Sequence, residues 1–547
     1  MPARSLAASF VPGVTAVPGG PVAVVAASGG MNHALAFALA GRGSGIRLGV
    51  GLGNCVDVDA ADVLEHLLGD KEVRAVALHV ESVGDGRRLV DVISRLSERI
   101  PVAALVVGRS DVGDFARSHT GALATSWRTT RAALRQAGAV LVDDDRQLVD
   151  AVSALSLRRL LPTAQPGVGL VTGQAGPGLL IADALRSASV ELPELRPETV
   201  ATLATLLPPL TYQLNPVDTG RPDDGTLPKV LAAVGDDPRI DLVSLYALLE
   251  PDAFDLPVVI AAAAGPGRPP VVVTTAGAPV DVETALGALN RAGIPVAASA
   301  AATAAAVRAL VDDARARHRR QDGAAPQALL PRLSGHLDEA QSKALLEQAG
   351  VPAQPHRACD DADAARAAFA ELGGPVVVKL LDAEVLHKSE VVGVRLGVTT
   401  AADLEAALDA LSAVGARRFL VERMAPPGPE LLLGGRVDPV FGPVVVLGLG
   451  GTAAEALSDV TVRLAPLTRA EAASMLEDLA GRALVEGWRG AAAVTPGALA
   501  DAVLAVGRLT AGTPGLAEVE VNPLRVLPDG GVVALDAVVR AEEITRA

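Results

Sequence analysis

Along the first 300 residues, short runs of valine, leucine and alanine alternate with longer stretches in which polar and apolar positions mix. The runs at 22–27, 75–80, 102–107, 168–172, 242–248 and 271–275 are continuous rather than alternating. A continuous apolar run of about six residues fits a strand buried on both faces, and so a parallel sheet covered by helices. Such strands separated by amphipathic stretches predict a doubly wound α/β arrangement. The punctuation divides the pattern. Leu-Pro-Thr-Ala-Gln-Pro-Gly at 161–167 interrupts it, and a new strand, Gly-rich turn and helix begin at 167–178. Over 311–334, Arg, Asp, Gln, Gly and Pro replace the periodicity, which reads as a linker. A helix is predicted over 337–350, βα units to about 410, and an α+β module over 418–547, where β-like runs mix with Gly-Pro turns.

Composition narrows the function classes. The chain has 547 residues, enough for several domains of about 100–200 residues each. Net charge is −15 and aromatics are 2% of residues, with no basic run long enough to track a phosphate backbone. That excludes nucleic acid as an expected partner. The two cysteines, Cys55 and Cys359, form neither a disulfide framework nor a metal-ligand spacing. No apolar stretch reaches the roughly 18 residues of a membrane span, and the N-terminus lacks signal-peptide features, so a cytoplasmic protein without membrane association is expected.

Two places carry candidate chemistry on their residue types alone. After the first predicted strand, Ser28-Gly29-Gly30 leads into a helix, whose free N–H groups and dipole suit an anion; a tight βα turn capped by serine reads equally well. After the strand at 102–107, His119 lies among Ser118, Thr120 and Gly121, small neighbours that leave room for a phosphate on the ring, although a lone histidine is more often a surface or capping residue.

The string Ser118-His119-Thr120-Gly121-Ala-Leu-Ala resembles the phosphohistidine loop of the ADP-forming acyl-CoA synthetases, relatives of succinyl-CoA synthetase. The segment 52–65 (Leu-Gly-Asn-Cys-Val-Asp-Val-Asp…) and His79-Val80-Glu81 followed by Asp85-Gly86-Arg87 are similar to the same family. The resemblance implies that His119 carries phosphate and that Glu81 hydrogen-bonds it; a carboxylate on one ring nitrogen fixes the tautomer and raises nucleophilicity at the other. In the C-terminal half, Val376-Val-Val-Lys379 and Leu386-His387-Lys388-Ser389 resemble the family's ATP-grasp portion, implying that Lys379 reaches the nucleotide phosphates and that His387 takes the phosphate transiently. Phe419-Leu-Val-Glu422-Arg-Met424 looks like the hinge strand that reads adenine, with Glu430 placed for the ribose hydroxyls; Gly448-Leu-Gly450-Gly451 resembles the Gly-rich loop near the phosphates. In Glu518-Val-Glu520-Val-Asn522-Pro523 and Leu535-Asp536, the resemblance implies magnesium on Asn522 and Asp536, joined by Glu520. Hard oxygen donors suit that ion, and the spacing fits a strand, a turn and a return strand.

The similarity implies two flavodoxin-like doubly wound parallel-sheet domains followed by an ATP-grasp module. The expected division is a tail over 1–20, a ligase domain with the phosphohistidine loop over 21–162, a second flavodoxin-like domain over 163–310, a linker over 311–334 and the ATP-grasp domain over 335–547. It implies an ATP-dependent, NDP-forming acyl-thioester synthetase acting on a carboxylic acid, with ATP/ADP and magnesium, in a homo-oligomer such as a dimer. The sequence departs from the family in several places. Full-length fused relatives begin with a CoA-binding domain, of which 8–21 resembles only the tail. Val106 stands where a lysine is usual, the loop from Ser110 to His119 is one residue short, and Gly173-Gln174-Ala175-Gly176 replaces a more usual Asn-Ala-Gly-Gly. The thiol acceptor is therefore expected to be CoA, bound with a separate CoA-binding chain, or a carrier-protein phosphopantetheine. Transfer to an amine and a non-catalytic subunit are the remaining alternatives.

Overall fold

The computed structural model describes residues 1–2, 6–9, 11–109, 126–223, 225–249, 255–321, 323, 329–333, 335–384, 393–450 and 459–542. The chain divides into two compact units, Met1–Gln321 and Asp322–Ala547.

The first unit holds two five-stranded parallel sheets. Strands β1 (Gly19–Ala26), β2 (Ile46–Gly51), β3 (Ala75–Val80), β4 (Val102–Val106) and β5 (Val140–Val142) form the first, in the order β2-β1-β3-β4-β5. Their helices are α1 (Gly29–Gly41), α2 (Ala60–Leu67), α3 (Gly86–Arg99), α4 (Trp127–Gln136) and α5 (Asp145–Leu157). The second sheet repeats the order: β6 (Val168–Thr172) lies between β7 (Val217–Asp218) and β8 (Leu242–Leu248), then come β9 (Val271–Ala276) and β10 (Val296–Ala297). Its helices are α6 (Ala175–Ser187), α7 (Pro197–Leu206), α8 (Thr226–Gly235), α9 (Leu256–Ala263), α10 (Pro279–Arg291) and α11 (Ala300–Arg319). Every residue of β3, β4 and β6 is buried, as continuous apolar runs require. One apolar core joins the two lobes through Val24, Ala77, Leu170, Val272 and Leu310, with α11 packed on α5 and α6.

The linker expected from 311 begins later. Helix α11 continues to Arg319, burying Val311, Ala314 and Ala316. The polar residues that masked it are used inside: Asp313 pairs with Arg159 at 2.6 Å and with Arg317 at 2.9 Å. The pair Arg317–Asp313 follows helical spacing.

The second unit holds helix α12 (Glu339–Ala349), closed by Gly350 at φ 105°, where a left-handed backbone favours glycine. An antiparallel sheet follows in the order β11 (His356–Cys359), β14 (Phe419–Arg423), β12 (Val376–Leu380), β13 (Val394–Val398). Helices α13 (Ala362–Leu372) and α14 (Ala401–Ala413) belong to this part. A second antiparallel sheet contains β15 (Glu430–Asp438), β16 (Gly442–Leu449), β17 (Val460–Leu464), β18 (Leu516–Val526), β19 (Val532–Ala534) and β20 (Ala537–Ala541). Helices α15 (Arg469–Glu477) and α16 (Pro496–Gly512) share its core. Among the described residues no helix is long and apolar enough to cross a membrane.

Candidate active site

In the first sheet the chain goes from β1 out to β2 and then returns to β3 on the other side of β1. The crevice beyond the carboxyl ends of β1 and β3 is the switch point, where open α/β sheets bind ligands. Ser28 caps α1 there: its side chain accepts from the Met31 amide at 3.4 Å. The amides of Gly29 and Gly30 find no acceptor among the described residues. A Cβ built on Gly29 meets nothing within 4 Å, so the space over the helix start is open. Two unspent amides at a positive helix end make an anion cradle.

Glu81 follows β3 directly, its side chain 16% exposed, with Oε1 4.0 Å from Nδ1 of His79. Burial drives the His79 ring down to a pKa of about 4, so the imidazole is neutral near pH 7 and supplies no counter-charge to Glu81. The end of β2 comes close to the same place: the Cys55 thiol is pushed up by burial and then by the charges of Asp59 and Glu81. Other acids of the 52–65 segment serve structure. Asp59 and Asp62 form a capping box on α2, and Arg88 bridges Asp62 at 2.7 Å and Glu65 at 3.0 Å.

The His79 shift predicts an acid-sensitive fold. Between the unfolded value of 6.5 and the folded value of about 4, the unfolded chain binds the proton that the buried ring refuses. Stability is complete above that window and falls by about 3 kcal/mol as pH drops through it. The melting temperature of His79→Gln should therefore decline less than the parent's between pH 6.5 and pH 4; parallel declines would remove His79 as the cause.

His119 falls within 110–125, outside the described residues, but the two ends of that segment are fixed at the carboxyl end of β4, the strand next to β3. Trp127, the first residue of α4, donates its indole N–H to the Val106 carbonyl at 3.0 Å. The guanidinium carbons of Arg131 and Arg109 lie 4.8 Å and 5.7 Å from the centre of the Trp127 ring. Both anchors therefore sit one strand away from Glu81.

In the second unit, Lys379 projects from β12 into a buried charge cluster. Its Nζ lies 2.6 Å from Glu339 Oε1, 3.1 Å from Glu422 Oε2 and 2.5 Å from the Leu535 carbonyl. Lys343 Nζ reaches the same groups, at 2.8 Å from Glu339, 2.5 Å from Glu422 and 2.8 Å from the Leu535 carbonyl. Burial works against the Lys379 ammonium, but the charges of Glu339, Glu422 and Asp536 outweigh it and hold its pKa above the usual lysine value. Among the described residues, two ammoniums share the carboxylates of Glu339 and Glu422 in this cluster.

Asn522 lies on β18, and Asp536 in the bend between β19 and β20. Strand β18 pairs with β20 through Val521–Ala537 and with β19 through Leu524–Ala534, so both residues stand at the break between β19 and β20. Asn522 Nδ2 donates to Glu520 Oε1 at 3.3 Å, and Asp536 Oδ1 accepts from the Ala537 amide at 2.8 Å. This oxygen-rich set fits magnesium, which takes one or two protein oxygens plus phosphates and water. No cluster of three His, Cys, Asp or Glu side chains offers an alternative metal site among the described residues.

The remaining predicted residues fall elsewhere in the second unit. Glu430 pairs with Arg525. The Met424 amide donates to Pro375 at 2.9 Å, while its side chain is 41% exposed. The Gly450 amide donates to the Glu430 carbonyl at 2.8 Å, and a Cβ there would lie 2.9 Å from the Leu431 carbonyl carbon, so close strand contact fixes this glycine. His387 and Gly451 lie outside the described residues.

Comparison with known proteins follows the same division. Residues 19–155 match the succinyl-CoA ligase like flavodoxin domain and residues 329–541 match an ATP-grasp domain. The ADP-forming acetate–CoA ligase I of Archaeoglobus fulgidus is 31% identical over 526 residues, covering 92% of this chain and 75% of that protein. The chain belongs to the ADP-forming acyl-CoA synthetases. The trans-feruloyl-CoA synthase FCS1 of an unidentified prokaryote is 30% identical over 548 residues, covering 95% of this chain and 76% of that protein. Among solved structures, acetyl-coenzyme A synthetase 1 of Ca. Korarchaeum cryptofilum with phosphate and ADP aligns at TM-score 0.50 and 25% identity, over 55% of this chain and 66% of that one. As an ADP-forming acyl-CoA synthetase, the protein is an acid–thiol ligase.

Glu339 and Lys343 were not among the residues expected from this synthetase's sequence. Four residues apart on a helix, they look like an exposed ion pair. The available signal is their register: Glu339, Ser342, Lys343 and Leu346 form the buried stripe of α12, so the charges occupy core positions.

Proposed function

We propose that the chain makes an acyl-CoA from a carboxylic acid, ATP and CoA, with His119 carrying the phosphoryl group. The His119 ring nitrogen takes the γ-phosphoryl of ATP, releasing ADP. A carboxylate oxygen of the acid then displaces the histidine and becomes an acyl phosphate. The thiol sulfur attacks the acyl carbon, its proton leaves, and inorganic phosphate departs. The observation that carries this reading is the switch-point crevice: the free amides of Gly29 and Gly30 suit the phosphoryl oxygens and Glu81 suits the imidazole, with the ends of the His119 segment at the next strand. On the ATP-grasp side, Lys379 would reach the nucleotide phosphates once released from Glu339, with Glu422 holding it in place. His387 is the candidate transient acceptor there; Met424 and Glu430 are the candidates for adenine and ribose, and Gly450-Gly451 for the phosphates. Asn522 and Asp536, supported by Glu520, would hold magnesium, which neutralises charge on the transferring phosphoryl group. An Asn522→Ala protein should need about tenfold more magnesium for half-maximal ADP release; an unchanged magnesium titration would move the ion elsewhere.

CoA is favoured as acceptor because the aligned relatives are CoA ligases. A cytoplasmic homo-oligomer, acting with a CoA-binding partner region, completes the reading. The deciding assay supplies ATP, CoA and a panel of small and aromatic acids. ADP and thioester should appear in equal amounts; AMP as product, or ADP without thioester for every acid, would overturn the proposal.

A further inference from the structure

The first sheet carries a second opening at its other end. A cavity of about 460 Å³ is lined by the exposed Lys71, Arg74, Arg99 and Arg158, and by Arg159, which is held by Asp313, over a floor that includes Val73, Ile100 and Leu155. Arg74 immediately precedes β3 and Arg99 ends α3. Glu81 follows the opposite end of the six-residue strand β3. At about 3.3 Å per residue the cavity lies roughly 20 Å from the crevice.

The four cations stand out in a chain of net charge −15. Neighbouring acids are matched by arginines other than these four: Arg47 takes Asp70 and Glu72, Arg320 takes Glu98, and Arg159, itself at the cavity, takes Asp313 with Arg317. Among the described residues none of Lys71, Arg74, Arg99 and Arg158 forms an ion pair. Arg99 gives one N–H to the Leu68 carbonyl at 2.6 Å and Arg158 one to the Leu157 carbonyl at 3.2 Å. These contacts serve helix ends, where cations are favourable in their own right. They use one of five guanidinium donors each, and account for neither Arg74 nor Lys71. Four exposed cations around one opening, none in an ion pair among the described residues, favour an anion there. The volume suits a small ligand. No aromatic side chain lines the cavity to stack a base.

We propose that this cavity binds a small ligand carrying two or more phosphate groups, at a site separate from the catalytic crevice. Arg158 begins the connection to the second lobe, and its guanidinium lies beside Gly293, where an added Cβ would come within 3.5 Å. A bound phosphate there contacts the joint between the lobes.

The test is calorimetric titration of the full chain, free of nucleotide and magnesium, with inorganic pyrophosphate, and with inorganic phosphate as a second arm; binding at the nucleotide cleft is common to parent and variants. The parent should show a pyrophosphate site that weakens with added salt and is at least tenfold weaker in the phosphate arm. Lys71→Gln/Arg74→Gln/Arg158→Gln should lose that site by at least tenfold while ADP-forming turnover stays within about twofold. Arg74→Lys/Arg158→Lys, which keeps the charges, should retain it. Equal pyrophosphate binding by the parent and the glutamine variant, no binding to the parent, or a parent site equally tight for phosphate, would overturn the proposal.

Discussion

Replacing His119 with alanine is expected to lower thioester synthesis by at least about a thousandfold while leaving nucleotide affinity within about twofold of the parent. The reason is the covalent route. A residue that forms the intermediate cannot be replaced by its neighbours, whereas crevice amides and lysine only lower barriers around it. Nucleotide affinity is expected to reside in the second unit, which matches an ATP-grasp domain over 329–541, whereas His119 belongs to the chain of the first unit. Steady-state ADP and thioester formation, with ATP binding by calorimetry, separates the two effects. Turnover within tenfold of the parent would mean that phosphate reaches the acid without this histidine.

The second large effect is structural. Replacing Lys343 with methionine should destabilise the second unit by about 3–5 kcal/mol, because it strips a fully buried ammonium from two fully or nearly fully buried carboxylates. For a unit of this size the melting transition should fall by about 10 °C. Lys379 would then carry more of the neutralisation of Glu339 and Glu422, and ATP affinity should weaken with stability, since that lysine becomes harder to release to a phosphate. Adding Glu339→Leu to Lys343→Met should recover part of the stability, which a double-mutant cycle reads as coupling between neighbours. A melting shift of less than about 2 °C for the single variant would show that water, not the lysine pair, solvates these acids.

Much of the fold is legible in the sequence, for a physical reason. Strands buried on both faces must be continuous apolar runs, and β3, β6 and β8 coincide with the runs at 75–80, 168–172 and 242–248. The repeat of strand, glycine turn and helix at Ser28 and Gly173 foretells two sheets of the same strand order. The crevice residues are legible through motif context, since the strand–turn–helix around Ser28 is visible locally. What is hidden depends on partners far along the chain. The end of α11 looks like a linker because Asp313 and Arg317 look exposed until Arg159 meets them. Glu339 and Lys343 look like a surface pair until β12, β14 and the Leu535 carbonyl close over them. The close approach of β15 to Gly450 is likewise invisible locally, since Glu430 and Leu431 lie 20 and 19 residues earlier in the chain.

The most direct measurement is the site of phosphorylation. The protein is incubated briefly with magnesium and γ-labelled ATP, without acid or CoA, and digested under alkaline conditions. Acid-labile, base-stable label on the peptide containing His119, discharged on adding a substrate acid and CoA, is the expected result. A protein that forms ADP and thioester with no label on that peptide would contradict the histidine relay.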